Sequence, residues 1–160
     1  MPEEAVMTDD LGEILKTHAF LDGLDTAACD LVYGCARQVS FDAGTYLFHE
    51  AEPADELYLI REGRVALEVA VPGQGTLTFQ TLTQDEVVGV SWLVPPYRWA
   101  YDAKALDPVR AIAVDARCLR DACDSDHDFG YALMKRFVPI LIERLQATRF
   151  QIADVYGRKD

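Results

Sequence analysis

The sequence predicts an α+β fold: a β-barrel or jelly roll (a double-stranded β-helix) with N-terminal helices and a long C-terminal helix. Three observations carry this. Apolar residues recur at helical spacing up to residue 37 and again beyond residue 116. Between these zones the period becomes that of strands. The strands are short, evenly spaced and divided by Gly and Pro turns, with no crossover helices. The 160 residues suit a single domain, expected to be helical over 11–37, a barrel over 39–115 and helical over 116–156.

In the first zone Leu11, Ile14 and Leu15 make one helical face, and Ala28, Leu31, Val32 and Cys35 a second. Gly23 separates them, and Asp25 is placed to cap the free N–H groups of the second helix. In the middle zone Leu57-Tyr58-Leu59-Ile60 and Val65-Ala66-Leu67-Glu68-Val69 read as strands joined tightly through Gly63. The stretch from Thr76 to Leu82 alternates as a half-buried strand does, after a hairpin loop at Val71-Pro72-Gly73-Gln74-Gly75. Trp99 to Leu106 and Val109 to Val114, divided by Asp107-Pro108, complete the set. In the last zone Phe129, Leu133, Phe137, Leu141, Leu145, Thr148, Ile152 and Val155 keep one apolar face, and Pro139 is expected to kink the helix or mark a fresh start near Val138. Arg144, Arg149, Arg158 and Lys159 collect near its C-terminus, where they suit the helix dipole.

Composition narrows the function. Fifteen Lys and Arg against 27 Asp and Glu leave a net charge of −12, which opposes a surface for phosphate backbones. The longest apolar runs, such as Phe137 to Ile142, are far below a membrane span, and Met1-Pro2-Glu3-Glu4 is no secretory start. A soluble, cytoplasmic protein without nucleic-acid or membrane partners is the expectation. Cys29, Cys35, Cys118 and Cys123 lack metal-knuckle spacing and are expected as reduced, mostly buried thiols. Asp121, Asp124, Asp126 and Asp128 lack the Gly and closing Glu of a calcium loop and read as a solvated helix start. His49-Glu50 has no second histidine nearby, so no metal site and no cofactor are expected. No nucleophile, base and orienter stand together, so no catalytic residue is assigned and the chain reads as a non-enzyme.

The run Phe41-Asp42-Ala43-Gly44-Thr45-Tyr46-Leu47-Phe48, followed by Pro53-Ala54-Asp55-Glu56-Leu57-Tyr58-Leu59-Ile60-Arg61-Glu62-Gly63-Arg64-Val65, resembles the cyclic-nucleotide-binding domain of catabolite activator-type regulators and protein kinase A regulatory subunits. Ala19-Phe20-Leu21-Asp22-Gly23-Leu24 and the closing helix extend the resemblance over nearly the whole chain. It implies a phosphate-binding cassette at Val88 to Ala100, with Gly89, Val90, Ser91, Arg98, Trp99 and Ala100 at the ligand positions and cyclic AMP or cyclic GMP as the ligand. A short helix offering N–H groups and an arginine is what a cyclic phosphate needs. Val90 stands where the family keeps a glutamate for the ribose, and Trp99 where it keeps a small or hydroxyl residue. Ser91 is placed to cap the cassette helix or donate to a ligand. Trp92, Tyr97, Trp99 and Tyr101 either stack on a purine or fill the pocket, with filling preferred for Trp92. Alternation puts Arg98, Ala100 and Asp102 on one face and Trp99, Tyr101 and Ala103 on the other, so only one of Arg98 and Trp99 can enter the pocket.

By the same resemblance the long helix is a homodimer seam through Phe137, Leu141, Leu145, Thr148 and Ile152. No helix-turn-helix pattern follows it, so DNA reading is not expected. Two readings stand: a sensor that binds a cyclic nucleotide or other small anion and signals to a protein partner, or an interaction and dimerisation protein whose pocket binds no nucleotide.

Overall fold

Eight strands close two antiparallel four-stranded sheets, as a computed structural model shows for residues 11–157 apart from 12, 13 and 16, with side chains described through 149. The strands are β1 (Ala36–Phe41), β2 (Tyr46–Phe48), β3 (Glu56–Glu62), β4 (Val65–Val71), β5 (Gly75–Leu82), β6 (Val87–Val88), β7 (Asp102–Ala105) and β8 (Val109–Asp115). One sheet runs β1-β8-β3-β6 and the other β2-β7-β4-β5. This is a jelly roll, as the strand spacing predicts. The β3–β4 reversal carries the chain between sheets at Gly63, whose φ is +92°. A Cβ there would lie 2.5 Å from the Pro108 carbonyl oxygen, so only glycine lets the two sheets meet at this corner.

Helices follow the expected order with shifted edges. Helix α1 (Thr26–Tyr33) starts on Asp25, whose Oδ1 accepts from the Ala28 N–H at 2.8 Å, and the chain is already a strand by Ala36. Before it, Leu11, Ile14, Leu15 and Thr17 are helical with Leu11 and Leu15 buried, as their spacing predicts, and a 3-10 turn follows at Ala19–Leu21. Helix α2 (Ala116–Ser125) is capped by Asp115, and Asp126 in turn accepts from the Phe129 N–H near the start of α3 (His127–Gly157). Two expectations about strands need correction. The segment from Trp99 to Tyr101 is not yet regular strand, because β7 begins only at Asp102. In β5 the alternation breaks, because a register shift against Leu67 and Glu68 leaves Leu77 51% exposed.

Helix α3 runs unbroken through Pro139, so no fresh start occurs near Val138. Proline removes the donor to the Lys135 carbonyl. The helix is nonetheless anchored on both sides of it, by the buried side chains of Leu133 and Phe137 before, and by Arg144 on the Val87 carbonyl after. Phe137 is also no part of an outer seam. It is buried against Phe20 (ring centroids 4.9 Å apart) and Trp92 (5.5 Å). Ile152 and Val155 lie outside the described side chains, and Arg158 and Lys159 outside the described residues.

The cysteines depart from the reduced reading. Cys35 and Cys118 form a disulfide across 83 residues, with Cα atoms 5.6 Å apart, while Cys29 stays a buried thiol and Cys123 a half-buried one. Local spacing could not reveal this pair. The β1–β8 ladder ends at Ala36 opposite Val114, the Asp115 N–H donates to the Cys35 carbonyl, and the first turn of α2 then brings Cys118 over Cys35.

Candidate functional site

The cassette positions gather at one end of the barrel, where β6 leaves its sheet and the chain returns toward β7. Gly89 is buried with φ +110°. Directly over it lies Trp99: a Cβ on Gly89 would be 2.5 Å from Trp99 Cη2 and 2.8 Å from Cζ3. The indole is 4% exposed and stacks on Phe48, with centroids 3.6 Å apart and planes 7° from parallel. Tyr58 and Tyr101 flank that stack on Phe48, at 6.3 and 5.8 Å. Trp99 is fixed from the backbone too, since its N–H donates to the Glu52 carbonyl and its carbonyl accepts from the Ala51 N–H. The indole therefore fills the interior beside the cassette glycine.

The neighbouring side chains divide around Trp99. Trp99 and Ala103 face inward and Tyr101 turns its ring onto Phe79 and Phe48, while Arg98 and Ala100 are exposed. Arg98 Nη1 donates to the Ala51 carbonyl oxygen at 2.8 Å, and its backbone bridges to Pro53. The arginine sits at the rim, bound to its own chain. Val90 precedes the short 3-10 turn Ser91–Leu93 without a side-chain cap, and Ser91 lies inside that turn, so the capping role considered for Ser91 does not occur. Trp92 is fully buried against Phe137, in keeping with its reading as filling.

The mouth next to Trp99 is a 260 Å³ cavity bordered by Glu52, Asp55 and Glu56. Glu52 Oε1 accepts from the His49 N–H, and Glu56 takes both hydrogen bonds of Arg37. Burial, with the Glu56 carboxylate next, pushes the Tyr58 phenol up to about 12, so it stays a neutral donor. With Glu56 neutralised by Arg37, Glu52 and Asp55 are the carboxylates left at this mouth to oppose a phosphate. His49 faces Asp102, its Nδ1 3.6 Å from Oδ1, and among the described residues no three His, Cys, Asp or Glu side chains are grouped to hold a metal.

Two arginines outside the cassette hold this end of the molecule together. Arg120 of α2 donates to the Trp92 carbonyl and covers the Tyr97 ring at 4.2 Å. Arg144 of α3 reaches the Val87 carbonyl, two residues before Gly89. Neither was legible as a site residue: Arg144, expected near a helix C-terminus, lies in the middle of α3, and Arg120 lies in a segment read for its acidic side chains. A second cavity, of 580 Å³, opens between α3, the Ala19–Leu24 segment and the β5–β6 turn.

Comparison with known proteins agrees with this architecture. The profile of the cyclic nucleotide-binding domain family matches residues 38–126. A CRP-like cAMP-activated global transcriptional regulator of Mycobacterium tuberculosis is 24% identical over 145 residues, which cover 91% of this chain and 63% of that protein. Among solved structures, a cyclic nucleotide-binding domain from Methylobacillus flagellatus superposes with a TM-score of 0.76 at 16% identity, over 92% of this chain and 83% of its own. The regulatory domain of Toxoplasma gondii PKA, crystallised with cAMP, gives 0.69 at 19% identity, over 86% of this chain and 52% of its own.

Proposed function

Because the chain belongs to the cyclic nucleotide-binding domain family, we propose that it is a non-enzymatic regulatory module whose barrel is closed to cyclic nucleotides by its own Trp99 and whose output passes through α3 to a second copy or a protein partner. The observation that carries this is the indole seated on Phe48 and over Gly89. A purine nucleotide entering there has to displace a buried tryptophan, and it then meets Val90 where a ribose-binding carboxylate is needed. A charged hydrogen bond of that kind is worth about 1.5–3 kcal/mol, or one to two decades of affinity. The carboxylates of Glu52 and Asp55 at the mouth act in the same direction. No DNA contact is part of this proposal. The chain spans 63% of the length of the curated relative it matches, whose printed role as a transcriptional regulator belongs to that whole protein.

The sensor reading keeps one point in its favour: the sequence resemblance assigns Gly89 and Arg98 to the family's cassette. Calorimetry with cyclic AMP and cyclic GMP separates the two. The closed-barrel reading expects no binding to the wild type at high micromolar concentration and measurable binding once Trp99→Ala empties the interior. Wild-type binding that Arg98→Ala abolishes would overturn it in favour of the sensor.

A further inference from the structure

We propose that the 580 Å³ groove between α3 and the Ala19–Leu24 segment is a binding site for an amphipathic oxyanion, an apolar body carrying one carboxylate or phosphate head. This site lies outside the barrel interior and does not depend on whether that interior is open. Its size is in the range of small-molecule sites. Phe20, Val87 and Ile140 supply an apolar floor, and α3 supplies three cations along one wall: Lys135, Arg136 and Arg144.

The charges around the groove are unequally committed. Asp85 Oδ1 accepts from the Ala19 N–H, and Glu86 Oε1 accepts from the Thr83 N–H and hydroxyl. Glu143 is exposed at the edge of the groove. By contrast, none of the three cations is ion-paired with a carboxylate among the described residues, although Lys135 Nζ lies over the Tyr131 ring at 4.9 Å.

Arg136 and Arg144 are placed for the head group. A Cβ at Gly23 would lie 2.5 Å from Arg136 Nη2, so the glycine is what lets that guanidinium lie against the chain reversal at the groove. Arg144 spends Nη2 on the Val87 carbonyl, while Nε and Nη1 are buried and find no well-placed acceptor. The buried Tyr101 hydroxyl lies beside this guanidinium, also without a well-formed hydrogen bond. The Tyr101 oxygen is the neutral acceptor nearest those donors, and an oxyanion drawing the Arg144 guanidinium toward the groove offers a charged one, in the forked geometry that arginine presents to carboxylate and phosphate.

Calorimetry on the full chain tests this with sodium decanoate, decanol, decyltrimethylammonium and inorganic phosphate, all below micelle-forming concentrations. Decanoate should bind, more tightly than decanol or phosphate, and the ammonium should not bind. Arg136→Gln and Arg144→Gln should each weaken decanoate about tenfold, the loss of one charge-assisted contact, with Arg110→Gln as an unaffected control. Arg136 is only half-buried, so its variant keeps the test valid if Arg144→Gln unfolds. Binding should persist in Trp99→Ala, which separates the groove from the barrel. Equal affinity for decanoate and decanol, equal affinity for decanoate and phosphate, or decanoate binding unchanged in Arg136→Gln would each overturn the proposal.

Discussion

Trp99 and Arg98 are adjacent, and their side chains take opposite sides, the indole buried and the guanidinium exposed. Which one turns inward decides what the barrel can hold, and here burial of the indole wins over burial of a guanidinium. Fully burying a large apolar side chain yields about 1.5–3 kcal/mol, whereas a buried charge is stabilised only with a partner, and Arg98 finds its acceptor at the rim on Ala51. The same scale holds a pH dependence. His18 is buried, its Nδ1 accepting from the Phe20 N–H and its Nε2 bonded to the Ile60 carbonyl, which makes it the neutral Nε2–H tautomer. Burial lowers its pKa below the ordinary value of 6.5. The unfolded chain therefore binds a proton that the folded one does not, so this contribution to stability is complete above pH 6.5 and declines as pH falls toward the folded pKa. Thermal melts should show a midpoint that drops on acidification below pH 6.5, with a shallower drop in His18→Gln. An equal drop in both would assign it elsewhere.

Helix α3 shows how an apolar stripe can be real and still be misassigned. Residues taken at steps of four advance about 40° per step around a 3.6-residue helix, so Phe129, Leu133 and Phe137 face the core while Leu141 and Leu145 have rotated to solvent. The outward set is Val138, Leu141, Ile142 and Leu145, each 46–55% exposed, with heptad-like spacing. Thr148 is exposed as well, its hydroxyl donating to the Arg144 carbonyl. If this face is the seam, light scattering gives a dimer mass for the wild type and a monomer for Leu145→Glu, which removes about 1.5–3 kcal/mol of burial per chain. A monomeric wild type, or a mass unchanged by the substitution, would reject it. The helical and strand zones were legible because periodicity is local. The break in β5 was not, because a register shift depends on the partner strand.

At the scale of the molecule, the Cys35–Cys118 disulfide ties the start of the barrel to the helices that follow it. Closing a loop of 83 residues in the unfolded chain is worth up to about 4–5 kcal/mol in the chain-entropy account. Denaturant melts should therefore lose up to that much stability in Cys118→Ser, and the wild type should fall to the same level in reductant. A wild type indifferent to reductant would mean the pair does not staple the fold. Sequence alone determined the class of this protein: strand and helix periods, Gly63 at a turn and Asp25 at a cap are written in residues near one another. Only the tertiary structure decided the cysteine pairing, the inward turn of Trp99, the place of Phe137 in the core and the groove on α3. Each of those depends on which distant segments become neighbours, and spacing along a chain carries no measure of that distance.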